Sequence, residues 1–264
     1  MLRTLKAGAC LILCPLPVLA LEIGSCIAVP SQVIDVSVEF PGLVETVLVD
    51  RGSKVVEGDL LVKLRDSSIR AQVALAARRA EDLNQINGVK ARIEVLEAQL
   101  VRVESLYERN LIAQREVDRV EAELLALFQE RDRLFTEHDL AKIEHARVQE
   151  LMNQRAVKST IDGLVTARNI DPGEYASEQA PLLTIAALDP LYVEIFVPQS
   201  MAGKLAIGDE VEVLLNTAPE TPLVATVDVI DQVFDAASAT FGMRLVLPNP
   251  DGALPAGVRC RARL

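Results

Sequence analysis

The sequence contains no tryptophan, two histidines and 3% aromatic residues, which leaves little with which to stack nucleobases. Its charge is one-sided as well: 27 basic against 38 acidic residues give a net charge of −11, with no surplus of cations to neutralise phosphates. Nucleic acid is therefore not expected as a partner. Between Ser67 and Arg155 proline is absent and Gly88 is the single glycine, which excludes a string of tight turns and predicts long helix. The uncharged run from Ala7 to Leu21 is only about 15 residues, where a membrane span needs roughly 20. Preceded by Arg3 and Lys6 and closed by Val18-Leu19-Ala20, it reads as a secretory signal peptide over residues 1–20, cut near Ala20.

Cysteine is scarce too. Of four in the chain, Cys10 and Cys14 leave with the signal, so Cys26 and Cys260 remain. Three fates stand open for them: a disulfide in an oxidising compartment, two unpaired core residues, or acylation of Cys26. The last follows from "IGSC", which resembles a lipobox, although Glu22 interrupts its apolar part. Neither cysteine has ligand-like neighbours, so no zinc site is expected.

What the chain does have is ample apolar content, 50% of its residues, and a repeat. Laid on one another without a gap, "GLVETVLVDRGSKVVEGDLLVKL" and "GLVTARNIDPGEYASEQAPLLTI" share Gly42/Gly163, Leu43/Leu164, Val44/Val165, Asp50/Asp171, Gly52/Gly173, Glu57/Glu178 and Leu61/Leu182. Each copy reads as short strands broken by turns. Gly42 and Gly163 precede Val-rich strands, Gly52 and Gly173 sit where a turn needs positive φ, and Gly58 marks a further turn. A copy of this length cannot bury its own apolar face, so the two halves are expected to pack as one sandwich.

Between the copies, apolar or small residues recur in steps of four and three from Ile69 through Ile86 and Ile93 to Tyr107, the seam of a coiled coil. One extra step of three at Leu83-Ile86-Val89 predicts a locally overwound helix. The second arm continues the seam with Val117, Val120, Leu124, Leu127, Leu134, Ala141 and Val148, and places Arg131, His138 and His145 in it. Both histidines, seven residues apart on one face, are expected to be partly buried seam residues rather than metal ligands. The arms part at Arg109–Gln114, with Asn110 ending the first helix. From Pro190 onward short alternating runs return and suggest a small antiparallel barrel.

The ordered set resembles the periplasmic adaptor subunits, or membrane fusion proteins of the HlyD-like family, of tripartite efflux systems. The residues that carry the resemblance are Gly42, Val44, Val49, Gly52, Val55, Gly58, Leu61 and Leu64 in the first half. In the second they are Val157, Lys158, Asp162, Gly163 and Val165, with Thr160 where the family has proline. The barrel contributes Asn249-Pro250-Asp251-Gly252 and Pro255 to Gly257. The implied fold class is α+β: a lipoyl-like β-sandwich (36–65 and 157–187) interrupted by a coiled-coil hairpin (66–156). A β-barrel (188–264) follows, which residues 21–35 are expected to join. No membrane-proximal domain is expected, which weakens the implied resistance-nodulation-division type and keeps an ABC-type exporter adaptor open.

The resemblance also implies a hairpin tip that docks a partner through an Arg, a Leu, a Ser and an Asp. Those positions are Arg102, Leu106, Ala113 and Asp118 here, so the hydroxyl is missing. No carrier lysine is expected, because the helical excursion replaces the carrier turn; with only two histidines and no Ser, Cys or carboxylate constellation around them, neither a catalytic site nor a cofactor is expected. The implied partners are an inner-membrane transporter, an outer-membrane channel and further copies of the chain in a ring, in the periplasm at the inner membrane. A periplasmic binding or scaffold protein of the same fold is the alternative.

Overall fold

The structure, a computed structural model, describes residues 22–217 and 221–264; the expected signal peptide with Cys10 and Cys14 lies outside them. The elements in chain order are β1 (Glu22–Val36), β2 (Gly42–Val47), β3 (Lys54–Val55), β4 (Leu60–Leu64), α1 (Ser67–Glu81), α2 (Asn84–Glu108) and α3 (Gln114–Asn153). After the helices come β5 (Ala156–Lys158), β6 (Gly163–Arg168), β7 (Tyr175–Ala176), β8 (Leu183–Pro198), β9 (Glu210–Leu215), β10 (Pro222–Ile230), β11 (Thr240–Leu247) and β12 (Val258–Arg263). The described residues divide into two compact units, 35–184 on one side and 22–34, 185–217 and 221–264 on the other. No helix among the described residues is long and apolar enough to cross a membrane.

In the first unit the sequence repeat becomes an exchange of strands. β2 pairs with β7, Gly42 opposite Ala176 and Leu43 opposite Tyr175, while β3 pairs with β6, Val55 opposite Gly163 and Lys54 opposite Leu164. The hydrogen bonds repeat in the same way: Gly52 N–H donates to Val165 O at 2.8 Å and Gly173 N–H to Val44 O at 3.0 Å. Each half thus completes the other, and Val44, Leu61, Leu64, Val165, Leu182 and Leu183 close a shared core at 2% exposure or less. Gly52, Gly58 and Gly173 take φ of +88°, +89° and +92°, where a Cβ is strained. Gly42 and Gly163 are the first residues of strands β2 and β6. At Gly42 a Cβ would meet Arg155 Nη1 at 2.8 Å, the end of a flexible side chain that can move aside.

The helices leave this sandwich after β4 and return to it at β5. Leu64 N–H donates to Arg155 O at 2.8 Å and Arg65 N–H to Leu43 O at 2.8 Å, so entry and exit are fastened to one another and to β2. Asp66, 7% exposed, sits between them and is held by Arg70 and Lys63. At 1.5 Å per residue, the 40 residues of α3 rise about 60 Å.

The facing arm is not continuous. The extra step of three predicts an overwound helix, but the chain breaks at Asp82 and Leu83. Asp82 is extended at ψ 107° and its Oδ1 accepts from Asn84 N–H at 3.0 Å. This local bond competes with the helix, as short polar side chains do, and Asn87 and Gly88 add no helix propensity to oppose it. Beyond the break Ile86, Val89 and Ile93 pack with Leu124 and Leu134.

The second unit is a barrel in the order β1-β12-β9-β10-β11-β8, with β1 also pairing β8 to close the ring. Its strands alternate: Phe241, Met243, Leu245 and Leu247 point inward from β11 at 3% exposure or less, the period of two that a barrel wall requires. Asn249, 3% exposed, braces one end; its amide donates to Leu188 O and Leu254 O at 2.9 and 3.1 Å. Cys26 and Cys260 face one another across β1 and β12 with Cα atoms 5.0 Å apart, and their sulfurs are bonded. Of the three fates left open for Cys26, the structure shows the disulfide, with the residue buried in its strand.

Candidate functional site: the hairpin tip

The turn at the far end of the hairpin is built by a helix stop and a helix start. α2 stops in a Schellman motif: Asn110 N–H donates to Tyr107 O at 2.8 Å and Leu111 N–H to Leu106 O at 3.0 Å. Asn110 occupies the left-handed position with φ +54°, which asparagine tolerates better than branched residues. α3 starts at an N-cap, Ala113, that is extended at φ −85°, ψ 149° and offers no side-chain oxygen. The place where the adaptor resemblance implies a serine is therefore the capping position of α3, and its N–H groups lack a side-chain acceptor there.

The four positions of the tip lie within two helical turns of this loop. Arg102 and Leu106 stand one turn apart on α2, Ala113 caps α3, and Asp118 lies in its second turn. Arg102 and Asp118 are exposed and are not bonded to one another; Asp118 accepts instead from Gln114 Nε2 at 2.9 Å. Leu106 is 38% and Leu111 67% exposed, with Tyr107 beside them at 42%. An apolar cluster with a free guanidinium at its edge can receive the end of another helical element through packing and directional hydrogen bonds. On α3 Glu116 is held below the usual carboxylate range by the hydrogen bond from Arg119, which also pairs Glu123.

His138 and His145 are both half-buried in the seam. His138 Nε2 is buried without a hydrogen-bond partner, in a small hollow of about 180 Å³ opposite the break at Asp82. Two features of the hairpin were not anticipated: the Asp66–Arg70 pair at its root, and an apolar groove between α2 and α3. The first leaves only an i, i+4 spacing of Asp and Arg as its signal; the second depends on how the arms register and leaves none.

Residues 32–187 match the family described as CzcB-like, barrel-sandwich hybrid domain, and residues 190–264 match the CusB-like, beta-barrel domain. The nodulation protein NolF of Rhizobium meliloti (strain 1021) is 25% identical over 207 residues, 78% of this chain and 53% of NolF. The cation efflux system protein CusB of Escherichia coli (strain K12) is 25% identical over 116 residues, 44% of this chain and 28% of CusB. The chain thus spans about half the length of these curated relatives, or less. Among solved structures, MacA from Actinobacillus actinomycetemcomitans shares the fold with a TM-score of 0.73 at 17% identity, covering 92% of this chain and 79% of MacA.

Proposed function

The chain belongs to the CzcB-like barrel-sandwich hybrid family and is a membrane fusion, or periplasmic adaptor, protein of efflux systems; on that premise we propose that it joins an inner-membrane transporter to an outer-membrane channel. In this reading several copies form a ring in the periplasm at the inner membrane. The barrel faces the transporter, the hairpins reach the channel, and small molecules pass through the assembled tube. The adaptor catalyses nothing; the transporter supplies the energy.

The observation that carries the reading is the tip. Leu106 and Leu111 stay exposed at the end of a helix pair about 60 Å long by its rise, where they cannot serve the sandwich core, and exposed apolar clusters of this kind mark contact surfaces. Arg102, Leu106, Ala113 and Asp118 are the proposed contact residues for the channel. An Arg102→Asp variant should lose export while its circular dichroism, melting temperature and secretion stay unchanged. Normal export by that variant would remove the tip from the mechanism.

A further inference from the structure

At one end of the barrel two loops meet, residues 199–209 between β8 and β9 and residues 231–239 between β10 and β11. Gln199 N–H donates to Ala239 O at 2.9 Å, which fastens one loop to the other. The second loop is also held from within, because Asp235 Oδ1 accepts from Ala237 N–H at 2.8 Å. A hollow of about 240 Å³ opens between them, lined by Met201, Leu205, Ile230, Phe234 and Phe241, with the exposed Asp231 at its rim. Phe241, 3% exposed, forms the floor, and the Phe234 ring leans on it with centroids 5.2 Å apart at a tilt of 36°.

Met201, Leu205 and Ile230 pack against the barrel core and also line the hollow. Phe234 stays 40% exposed despite its contact with Phe241, so the apolar wall continues to the surface. A volume of this size has room for about eight waters at about 30 Å³ each. Each of them needs two to four polar partners, and a wall of hydrocarbon and one thioether offers little. The hollow therefore favours an apolar group over water, and one no larger than a substituted ring.

The rim adds a charge to this apolar wall. Asp231 N–H donates to Gly242 O at 2.9 Å, and its Oδ2 lies in the space that a Cβ on Gly242 would fill. The carboxylate makes no hydrogen bond and no ion pair among the described residues. Arg244 is engaged with Asp228 at 2.7 Å and with the Tyr192 ring, while Lys204 rests on Met201 Sδ at 3.9 Å. Glu194 brings a second carboxyl into the same field: burial pushes it up, Arg244 opposes the shift and Asp231 reinforces it. An apolar hollow edged by an unneutralised carboxylate selects a positive charge carried on an apolar body.

We propose that the hollow is a binding site for a small amphipathic organic cation, whose ring or short alkyl body lies against Phe234, Phe241 and Met201 and whose ammonium is held by Asp231. The site lies within the barrel unit alone and shares no residue with the hairpin tip, so its loss leaves the adaptor reading intact.

The test uses the whole secreted chain with isotope-labelled methionine methyl groups, titrated with phenethylammonium chloride and followed by NMR. The expected result is a saturable shift of the Met201 signal, assigned with Met201→Leu, while Met152 at the end of α3 stays in place. Phenethyl alcohol, of the same size without the charge, should bind about fivefold more weakly, the worth of one exposed ion pair. Asp231→Asn should bring the ammonium down to the level of the alcohol with the melting curve unchanged, and Phe234→Ala should weaken both ligands alike. Equal binding of alcohol and ammonium by the native chain would overturn the inference in favour of a neutral apolar group. An ammonium affinity unchanged by Asp231→Asn, no saturable shift at Met201, or an equal shift at Met152 would each overturn it as well.

Discussion

Asp66 accepts both of its side-chain hydrogen bonds from a single nitrogen of Arg70, Nη2, at 2.7 Å to Oδ1 and 2.8 Å to Oδ2. Lys63 approaches the same carboxylate to 3.9 Å and reaches Glu45 at 2.8 Å, so β2, β4 and α1 are linked where the hairpin begins. The hydrogen bond from Arg70 holds the Asp66 carboxyl below its ordinary value of 3.8. A depressed carboxylate contributes stability that is present above its unfolded pKa and lost as pH falls through the folded one. Asp66→Asn is therefore expected to melt lower than the native protein at pH 7, and the gap should close below pH 3.8. Arg70→Met should cost at least as much at pH 7, because it leaves a buried carboxylate without its main donor. Thermal melts across pH check both.

The tip loop predicts substitutions of opposite sign. Asn110→Val should destabilise the hairpin end by about 1–2 kcal/mol, since a branched side chain resists the left-handed conformation, whereas Asn110→Gly should be neutral or favourable. Ala113→Ser supplies the missing cap oxygen and should stabilise the start of α3 by about 1 kcal/mol. Hydrogen exchange of the first amides of α3 reads the change directly.

The bond between Cys26 and Cys260 ties β1 to β12 across a sequence separation of 234. Removing it with Cys26→Ser and Cys260→Ser should cost about 2–4 kcal/mol. Urea unfolding with and without reductant should show the native chain falling to the level of the double variant, which itself ignores the reductant.

Glu194 stands opposite Arg244 on β8 and β11, yet burial pushes its carboxyl up from 4.5, with Arg244 opposing and Asp231 reinforcing the shift. Arg244 spends its guanidinium on Asp228, at 2.7 Å, and on the Tyr192 ring. The ionised form of a raised carboxyl costs stability at neutral pH, and that cost is relieved as pH falls through its folded pKa. Glu194→Gln should stabilise the barrel at pH 7, by under about 1 kcal/mol because solvent screens a barrel surface. The gain should fade toward pH 4.5 and below.

The strand exchange was legible because it was written twice: the pairs Gly42/Gly163, Val44/Val165 and Gly52/Gly173 reappear as equivalent hydrogen bonds. The seam was legible for the same reason of periodicity, down to the half-burial of His138 and His145. Periodicity reports the phase of a helix and not its continuity, so the break at Asp82 was read as a change of winding. There a single side-chain bond to Asn84 N–H decides the outcome. The Asp66–Arg70 pair is local and left only its i, i+4 spacing as a signal, whereas the groove at Ala126 depends on contacts between elements, which spacing along one chain does not encode. The fate of Cys26 was left open for that reason, and the pairing of β1 with β12 decides it.

α3 runs unbroken for 40 residues while the arm against it is divided at Asp82 and Leu83. At that one level the hairpin resists bending with a single hydrogen-bonded backbone instead of two. The 25 residues of α2, about 38 Å of helix, lie between it and the turn. A small angular deflection there swings the tip sideways through an arc of that radius, so compliance is concentrated at one place and leverage at another.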